Sequence, residues 1–304
     1  LLPPHKGLAR LGRYSDLAET ALPTTLVVPT RLGTSWFATL TPTWLDGDAG
    51  PSPPRAGRYY RGLNGLPQQR DLEESVFVVQ PTVGVEREGR LHLKLQAGAT
   101  PLNGPVEPTP TFAARVSGPS WYADVHRLPV KDSILSYVGQ RDPYSRDEWG
   151  RVTRSGIEAG LTRPLENNWW LSGSAGFDLY KGERVWDNHS LQLDTAVGRT
   201  WWRGEDEFSA GLFATARHFR RNSDFHTFGH GGYYSPELMT MVGPFVRYRT
   251  ALCRTAWIDL QAATGWLHQR LDRSPFYPLF SGNTTGFAPA AAAEANGEYA
   301  ADSD

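Results

Sequence analysis

The sequence predicts an all-β protein, an antiparallel transmembrane β-barrel of the outer-membrane type, and three observations carry that reading. Apolar residues recur with period two, the signature of strands, and long helical patterns are absent. Long and short connections alternate along the chain without a break. Aromatics and glycine are abundant, at Trp 11, Tyr 12, Phe 13 and Gly 31, against Met 2.

Taken in order, the first residues, "LLPPHKGLARLG", carry no initiator methionine and no long apolar run, so the chain looks like an excised piece of something longer. The stretch "TTLVVPT" at 24–30 is β-like but short and ends in proline, which places it outside the barrel. Strands are expected near 34–45, 75–86, 90–98, 109–117, 121–127, 155–163, 168–180, 189–200, 206–217, 240–250 and 256–267, with another around 287–300. In "RLHLKLQAG" Leu91, Leu93 and Leu95 oppose His92, Lys94 and Gln96. In "WWLSGSAGFDLY" Trp169, Leu171, Ala175, Phe177 and Leu179 oppose Trp170, Ser172, Ser174, Gly176 and Asp178. "HSLQLDTAVG" sets Leu191, Leu193 and Val197 against Gln192 and Asp194, and "AWIDLQAATGW" sets Ile258, Leu260 and Ala262 against Asp259 and Gln261. The alanine run near residue 291 is the one helix-like stretch.

The connections sort by parity. After the first strand comes a long one (46–74), then the tight "EREGR", a longer loop, the tight "SGPS" and a very long loop from 128 to 154. Short "RPLENN", medium "KGERVWDN", short "RGEDE", long 218–239, short "TALCRT" and long 268–286 complete the series. Outer-membrane barrels alternate in this way because their periplasmic turns are short and their extracellular loops long. A soluble sandwich with one wet face also alternates its side chains, but it has no reason to sort its loops. The parity assigns Leu93, Leu171, Leu193 and Leu260 to lipid and Lys94, Ser172, Asp194 and Asp259 to the interior. Trp170, Asp178, Gln192, Asp194, Asp259 and Gln261 are the candidates for a polar lumen, with an interfacial girdle as the alternative place for Trp170.

Composition narrows the function classes. A formal net charge of −1 without a basic block argues against nucleic acid as a partner. Cys253 stands alone, so no disulfide framework forms, and the thiol reads as a small apolar filler. No run of eighteen apolar residues marks a transmembrane helix, which leaves strands as the way across a bilayer.

The chemistry-bearing stretch is "FHTFGHGGYYSPEL" at 225–238. His226 and His230 are four apart, but the intervening and following glycines disfavour a shared helix face, and no third metal ligand is apparent. "GHGG" has no following lysine and opens no helix, so it is not a phosphate loop. Ser235 lacks the surroundings of a nucleophile elbow; an outer-membrane enzyme acting on lipid or glycan is the alternative reading, and a soluble carbohydrate-binding β-domain a third. Asp147 and Glu148 are adjacent, so on a strand they point apart, and they are a weak signal for a glycosidase pair. No catalytic residue, metal site or cofactor is assigned.

The loops resemble a known family. "NSDFHTFGHGGYYSPELM" (222–239), with Phe228, Gly229, His230, Gly231, Gly232, Tyr233, Tyr234, Ser235 and Pro236, is similar to the signature of the C-terminal domain of cellulose synthase operon protein C, the BcsC family. "PVKDSILSYVGQRDPYSRDEWGRVTRSG" (129–156) resembles its second hallmark, with Asp132, Ser133, Leu135, Ser136, Gly139, Asp142, Pro143, Trp149, Gly150 and Val152 in place. "GERVWDN" and "LKLQAGATPLNG" match weaker blocks, while Glu237 and Tyr234 depart from the commoner glutamine and phenylalanine. The resemblance implies a non-enzymatic export channel for cellulose or a related β-glucan in the outer membrane of a Gram-negative cell. It also implies a tetratricopeptide-repeat region of the same protein and an inner-membrane cellulose synthase complex as partners, with residues 1–23 as the linker leaving that repeat region and residues 24–304 forming the barrel. The family barrel has on the order of sixteen strands, more than the roughly twelve visible here, so the far end reads as incomplete. The 218–239 loop falls on the long, extracellular side. It is expected to pack against 132–150 and narrow the exit, with His230, Tyr233 and Tyr234 as ring-bearing tips for sugar stacking.

Overall fold

The computed structural model describes residues 16–30, 33–48, 55–56, 59–60, 72, 75–142, 146–253, 256–279, 298–299 and 302–303. Its centre is one antiparallel sheet of 16 strands in which neighbours in sequence are neighbours in space. The main run is Thr34–Asp48, Ser75–Arg87, His92–Ala99, Pro110–Ser117, Trp121–Pro129, Glu148–Pro164, Trp169–Glu183, Asn188–Arg203, Asp206–Phe219 and Leu238–Cys253. All-next-neighbour order follows from the tight turns, because a hairpin pairs a strand with the one just made.

Every segment predicted from 34–45 to 256–267 is a strand, with differences at the ends. Asp16–Ala21 and Thr24–Pro29 both pair along Thr34–Asp48, from Asp16↔Asp48 to Pro29↔Ser35. They form one span interrupted at Leu22 and Pro23, since proline cannot donate to a ladder. The stretch 24–30 therefore belongs to the sheet, and the linker expected over 1–23 has ended by Asp16. At the other end Ala256–Ala263 and Trp266–Leu271 both pair with Leu238–Cys253, broken at Thr264 and Gly265. Trp266–Leu271 runs into what was expected to be the 268–286 loop. The expected 155–163 strand begins at Glu148, because its first residues pair with Gln140–Arg141 and across a bulge with Glu183. Most of the 287–300 strand and the 291 alanine run lie outside the described residues; Glu298–Tyr299 is a short strand on Ser274–Pro275.

Side chains divide between the two faces as the parity predicts. Leu93, Leu171, Leu193, Ile157, Leu212 and Leu260 are exposed, while Ser172 and Asp194 are buried; Lys94 and Asp259, expected on the same inner face, are partly exposed, each in an ion pair, with Glu86 and Arg247 respectively. On Trp169–Glu183 the burial alternates residue by residue over most of its length. At the short-turn end the exposed face ends in aromatics: Trp36, Trp121, Trp169, Trp201, Phe208 and Trp257. Trp170 is buried and its neighbour Trp169 exposed, which settles Trp170 on the covered face. Gln261 keeps the covered-face parity, opposite Arg247, but is exposed on a strand near the end of the sheet. Cys253 is exposed, against the filler reading, because it ends its strand at a short turn.

The sheet curls. One short helix, Ile134–Val138, packs Ile134, Tyr137 and Val138 against Leu17, Leu45 and Val78 from the first strands. Its Leu135 joins a different cluster with Tyr180 and Phe219, which stand far along the strand order. Tyr137 donates its hydroxyl to Gln80 Oε1 (2.7 Å), and Lys131 beside the helix reaches Glu19 (3.1 Å). A flat sheet could not present both walls to five residues of helix.

Candidate functional site

The candidate site is the covered polar face and the two long loops folded over one end of it. The polar face is a set of side-chain ladders. Asp194 accepts from Gln192 Nε2 (2.6 Å) and Thr215 Oγ1 (2.9 Å), and Arg217 donates to Gln192 Oε1 (2.6 Å). Trp170 donates its indole N–H to Thr200 Oγ1 (3.2 Å) and lies against the Phe245 ring at 5.8 Å. Asp178 accepts from His126 (2.8 Å), whose other ring nitrogen meets Asp124 (2.6 Å). Asp259 pairs with Arg247. Apart from the neutral Trp170–Thr200 bond these involve a charged group on one side or both, several acceptors have more than one donor, and together they hold the interior face rigid.

Residues 222–236 are buried throughout. His230, Tyr233 and Tyr234 are therefore not tips reaching into solvent, as the sequence suggested, but the packing centre of the loop. Tyr233 stacks on Tyr180 (5.0 Å, 11° between planes), and its hydroxyl accepts from Asn188 Nδ2 (3.1 Å). His230 donates to the Pro275 carbonyl (2.8 Å) and meets Trp186 and Phe225 edge to face. Burial depresses the His230 imidazole to about 3, so it is neutral at physiological pH. Ser235 Oγ accepts from the Ser223 N–H (2.6 Å) and donates to the Tyr233 carbonyl (3.0 Å). It is a backbone brace, not a nucleophile aimed at a histidine.

The two hallmark loops interlock. Ser133 Oγ donates to the Gly232 carbonyl (2.6 Å), and the Tyr234 N–H donates to Asp132 Oδ2 (3.0 Å). Phe228 packs on Trp149 at 5.7 Å. Gly232 has φ +62, and a Cβ there would sit 2.9 Å from both Ser133 Oγ and Leu135 Cδ2. Gly150 has φ +100 and stands where a Cβ would be 2.4 Å from the Leu135 carbonyl. Glycine is required at both, for the left-handed backbone and for the space. Ser133 and Ser136 form a reciprocal capping box at the start of the helix, and Gly139 ends it. Asp142 is buried beside this turn, its N–H bonded to the Asp147 carbonyl (2.7 Å); Pro143 lies outside the described residues.

Burial raises the Asp132 carboxyl, and it pushes Asp224 up to about 8 with Asp132 adding to the effect. Asp147 and Glu148 pair with different arginines, Arg184 (2.8 Å) and Arg141 (3.0 Å), and do not face each other as a catalytic pair. Among the described residues no three histidine, cysteine or acidic side chains are grouped to hold a metal ion.

The capped helix, Asn188 under Tyr233, and His126 between two aspartates were not expected from the sequence. The Ser133-x-x-Ser136 spacing was a usable signal for the helix; the other two join residues 45 and 52 positions apart.

Comparison with known proteins matches residues 15–304 to the family model described as cellulose synthase operon protein C C-terminus. Proteins named cellulose synthase operon protein C are similar in several organisms. The one from Komagataeibacter xylinus is 26% identical over 93% of this chain and 23% of its own length. That from Xanthomonas axonopodis pv. citri is 32% identical over 52% of the chain and 11% of its length. That from Escherichia coli K12 is 29% identical over 59% of the chain and 16% of its length. The chain thus spans less than a quarter of the length of these relatives.

Proposed function

The chain belongs to the cellulose synthase operon protein C C-terminal family, and from that premise we propose that it forms an outer-membrane conduit through which cellulose or a closely related β-glucan leaves a Gram-negative cell. The observation that carries the reading is a curled sheet with an apolar exposed face, edged with aromatics, and a polar covered face. Lipid is the solvent that suits such an outer face, and a hydroxyl-rich polymer suits such an inner one. The relatives' name supplies the polymer.

In this reading the polar ladders line the route, offering exchangeable hydrogen bonds to sugar hydroxyls without holding any one of them strongly. No bond is made or broken, so no catalytic residue is needed. The interlocked loops 132–150 and 222–236 are the constriction at the long-loop, extracellular end, and they must shift for a chain to pass. Force comes from behind, from an inner-membrane synthase, with a periplasmic repeat region of the same protein guiding the polymer.

Single cysteines test the assignment of faces. In outer membranes carrying the full-length protein in a Cys253→Ser background, Lys94→Cys should label with a water-soluble maleimide. Leu93→Cys should stay protected until detergent is added. Equal labelling at these adjacent positions would contradict the membrane reading, as would recovery of the protein from cells without detergent.

A further inference from the structure

Above the apolar belt, the outward face turns from apolar to charged over two rows. Val125, Ile157 and Phe177 stand side by side in register, all exposed. The next outward row toward the long loops is Arg127, Ser155 and Leu179, and the one after is Pro129, Thr153 and Lys181. Rows on one face are two residues apart, or roughly 7 Å. The apolar row lines a groove of about 610 Å³, and the rows above it open into a cavity of about 680 Å³ walled by Arg127, Arg151, Thr153 and Lys181 and by the carboxylates Glu107, Asp147, Glu148 and Glu183.

The cations of this cavity are unequally matched. Arg184 is taken up by Asp147 (2.8 Å) and Glu183 (3.8 Å), and Lys181 by Asp187 (3.1 Å). Arg151 is only 2% exposed and pairs with no carboxylate among the described residues; Nη1 donates to Thr100 Oγ1 (2.7 Å) and the Pro101 carbonyl (2.6 Å). Its Nε and Nη2, and the Nε of Arg127, are buried without an acceptor among the described residues. Arg151 is also held at φ +44, a backbone region that a branchless glycine would fill more cheaply. Buried guanidinium donors left open are costly, and an oxyanion is the group that completes them best.

We infer that this face binds a phosphorylated amphiphile, its phosphate on Arg151 and Arg127 and its acyl chains along Val125, Ile157 and Phe177. The inference rests on the membrane reading above. The charge and the groove together select the ligand: a free phosphate would satisfy the arginines and ignore the groove, and a neutral lipid would do the reverse. Glu107, exposed at the rim, disfavours ligands whose negative charge spreads beyond one headgroup.

The test uses the full-length protein, stripped of lipid in detergent and returned to phosphatidylcholine vesicles with or without phosphatidic acid. Lipid retained after re-extraction is read by native mass spectrometry. Phosphatidic acid should be retained in preference to phosphatidylcholine, and Arg127→Gln and Ile157→Ser should each lower that preference, the arginine change by about tenfold. Arg127 is only half buried on the outward face, so its replacement leaves the fold intact, which heat-modifiable gel migration checks; Arg151→Gln is the second variant. Flotation with both vesicles but no preference would overturn the site alone. Full competition by inorganic phosphate with no effect of Ile157→Ser would show a free-anion site and overturn the amphiphile. Failure to float with either vesicle would sink the membrane reading and the site with it.

Discussion

The wall from Trp169 to Phe219 and the loop from Asn222 to Pro236 adjoin in the chain, yet they are held together by different means. In the wall, each strand is paired on both sides, and burial simply alternates along it. In the loop every residue is buried, regular pairing is nearly absent, and order comes from individual contacts such as Ser133 to Gly232 and Tyr233 on Tyr180. The wall's stability is spread over many equivalent bonds, so a single side chain matters according to which face it occupies. The loop's stability is concentrated, so a single side chain matters according to what it touches.

That contrast ranks the expected effects. Tyr233→Ala should be the most damaging change, because it removes a fully buried ring packed against Tyr180 and Phe219 and takes away one of the two acceptors of the Asn188 amide nitrogen. A loss of about 3–5 kcal/mol is expected, measured by denaturant unfolding of the reconstituted protein. If the loop melts while the wall's strand signal stays, the two regions unfold separately; one shared transition would merge them.

In the wall, face decides. Leu193→Arg, on the exposed side, should cost about 2–4 kcal/mol in a bilayer near mid-membrane. The adjacent Asp194→Asn keeps an acceptor for Thr215 and should cost less, about 1 kcal/mol. Equal costs in lipid would contradict the division of faces.

Smaller than the Tyr233 and Leu193 effects is the pH dependence, and it belongs to the loop. Asp224 has a folded value near 8, above its unfolded value, so the folded state holds a proton that the unfolded chain has lost, and stability falls as pH rises toward 8. Asp132 contributes in the same direction. His230 works oppositely: its folded value near 3 is below the unfolded one, so stability falls as pH drops below about 6.5. From about 4 to 6.5 the Asp224 and His230 slopes oppose each other, and between 6.5 and 8 only the carboxyl slope remains. A decline of about 1–2 kcal/mol across that upper window is expected, and Asp224→Asn should flatten it.

The same contrast explains what could be read from sequence. Strand positions follow a period of two, so Leu171 against Ser172 and Leu193 against Asp194 were assigned to their faces without coordinates. Lengths of connections gave the end on which 222–236 sits. The burial of that loop could not be read, because glycines and tyrosines suit an exposed tip and a packed plug equally well, and its partners lie up to 102 residues away. The span at Thr24–Pro29 was missed because a closing proline penalises only a central strand, and here the pairing is with Thr34–Asp48 alone among the described residues. Arg151 gave no signal either, since nothing local distinguishes a buried arginine from a surface one.

The central claim is that the interlocked loops close a passage lined by the polar face. The direct measurement is single-channel conductance of the full-length protein in a planar bilayer, before and after residues 225–234 are replaced by a glycine–serine segment of equal length, with heat-modifiable migration showing that the barrel still folds. The account predicts a larger and steadier current in the replaced protein. An unchanged current through a folded barrel would contradict it and leave the loops as a brace.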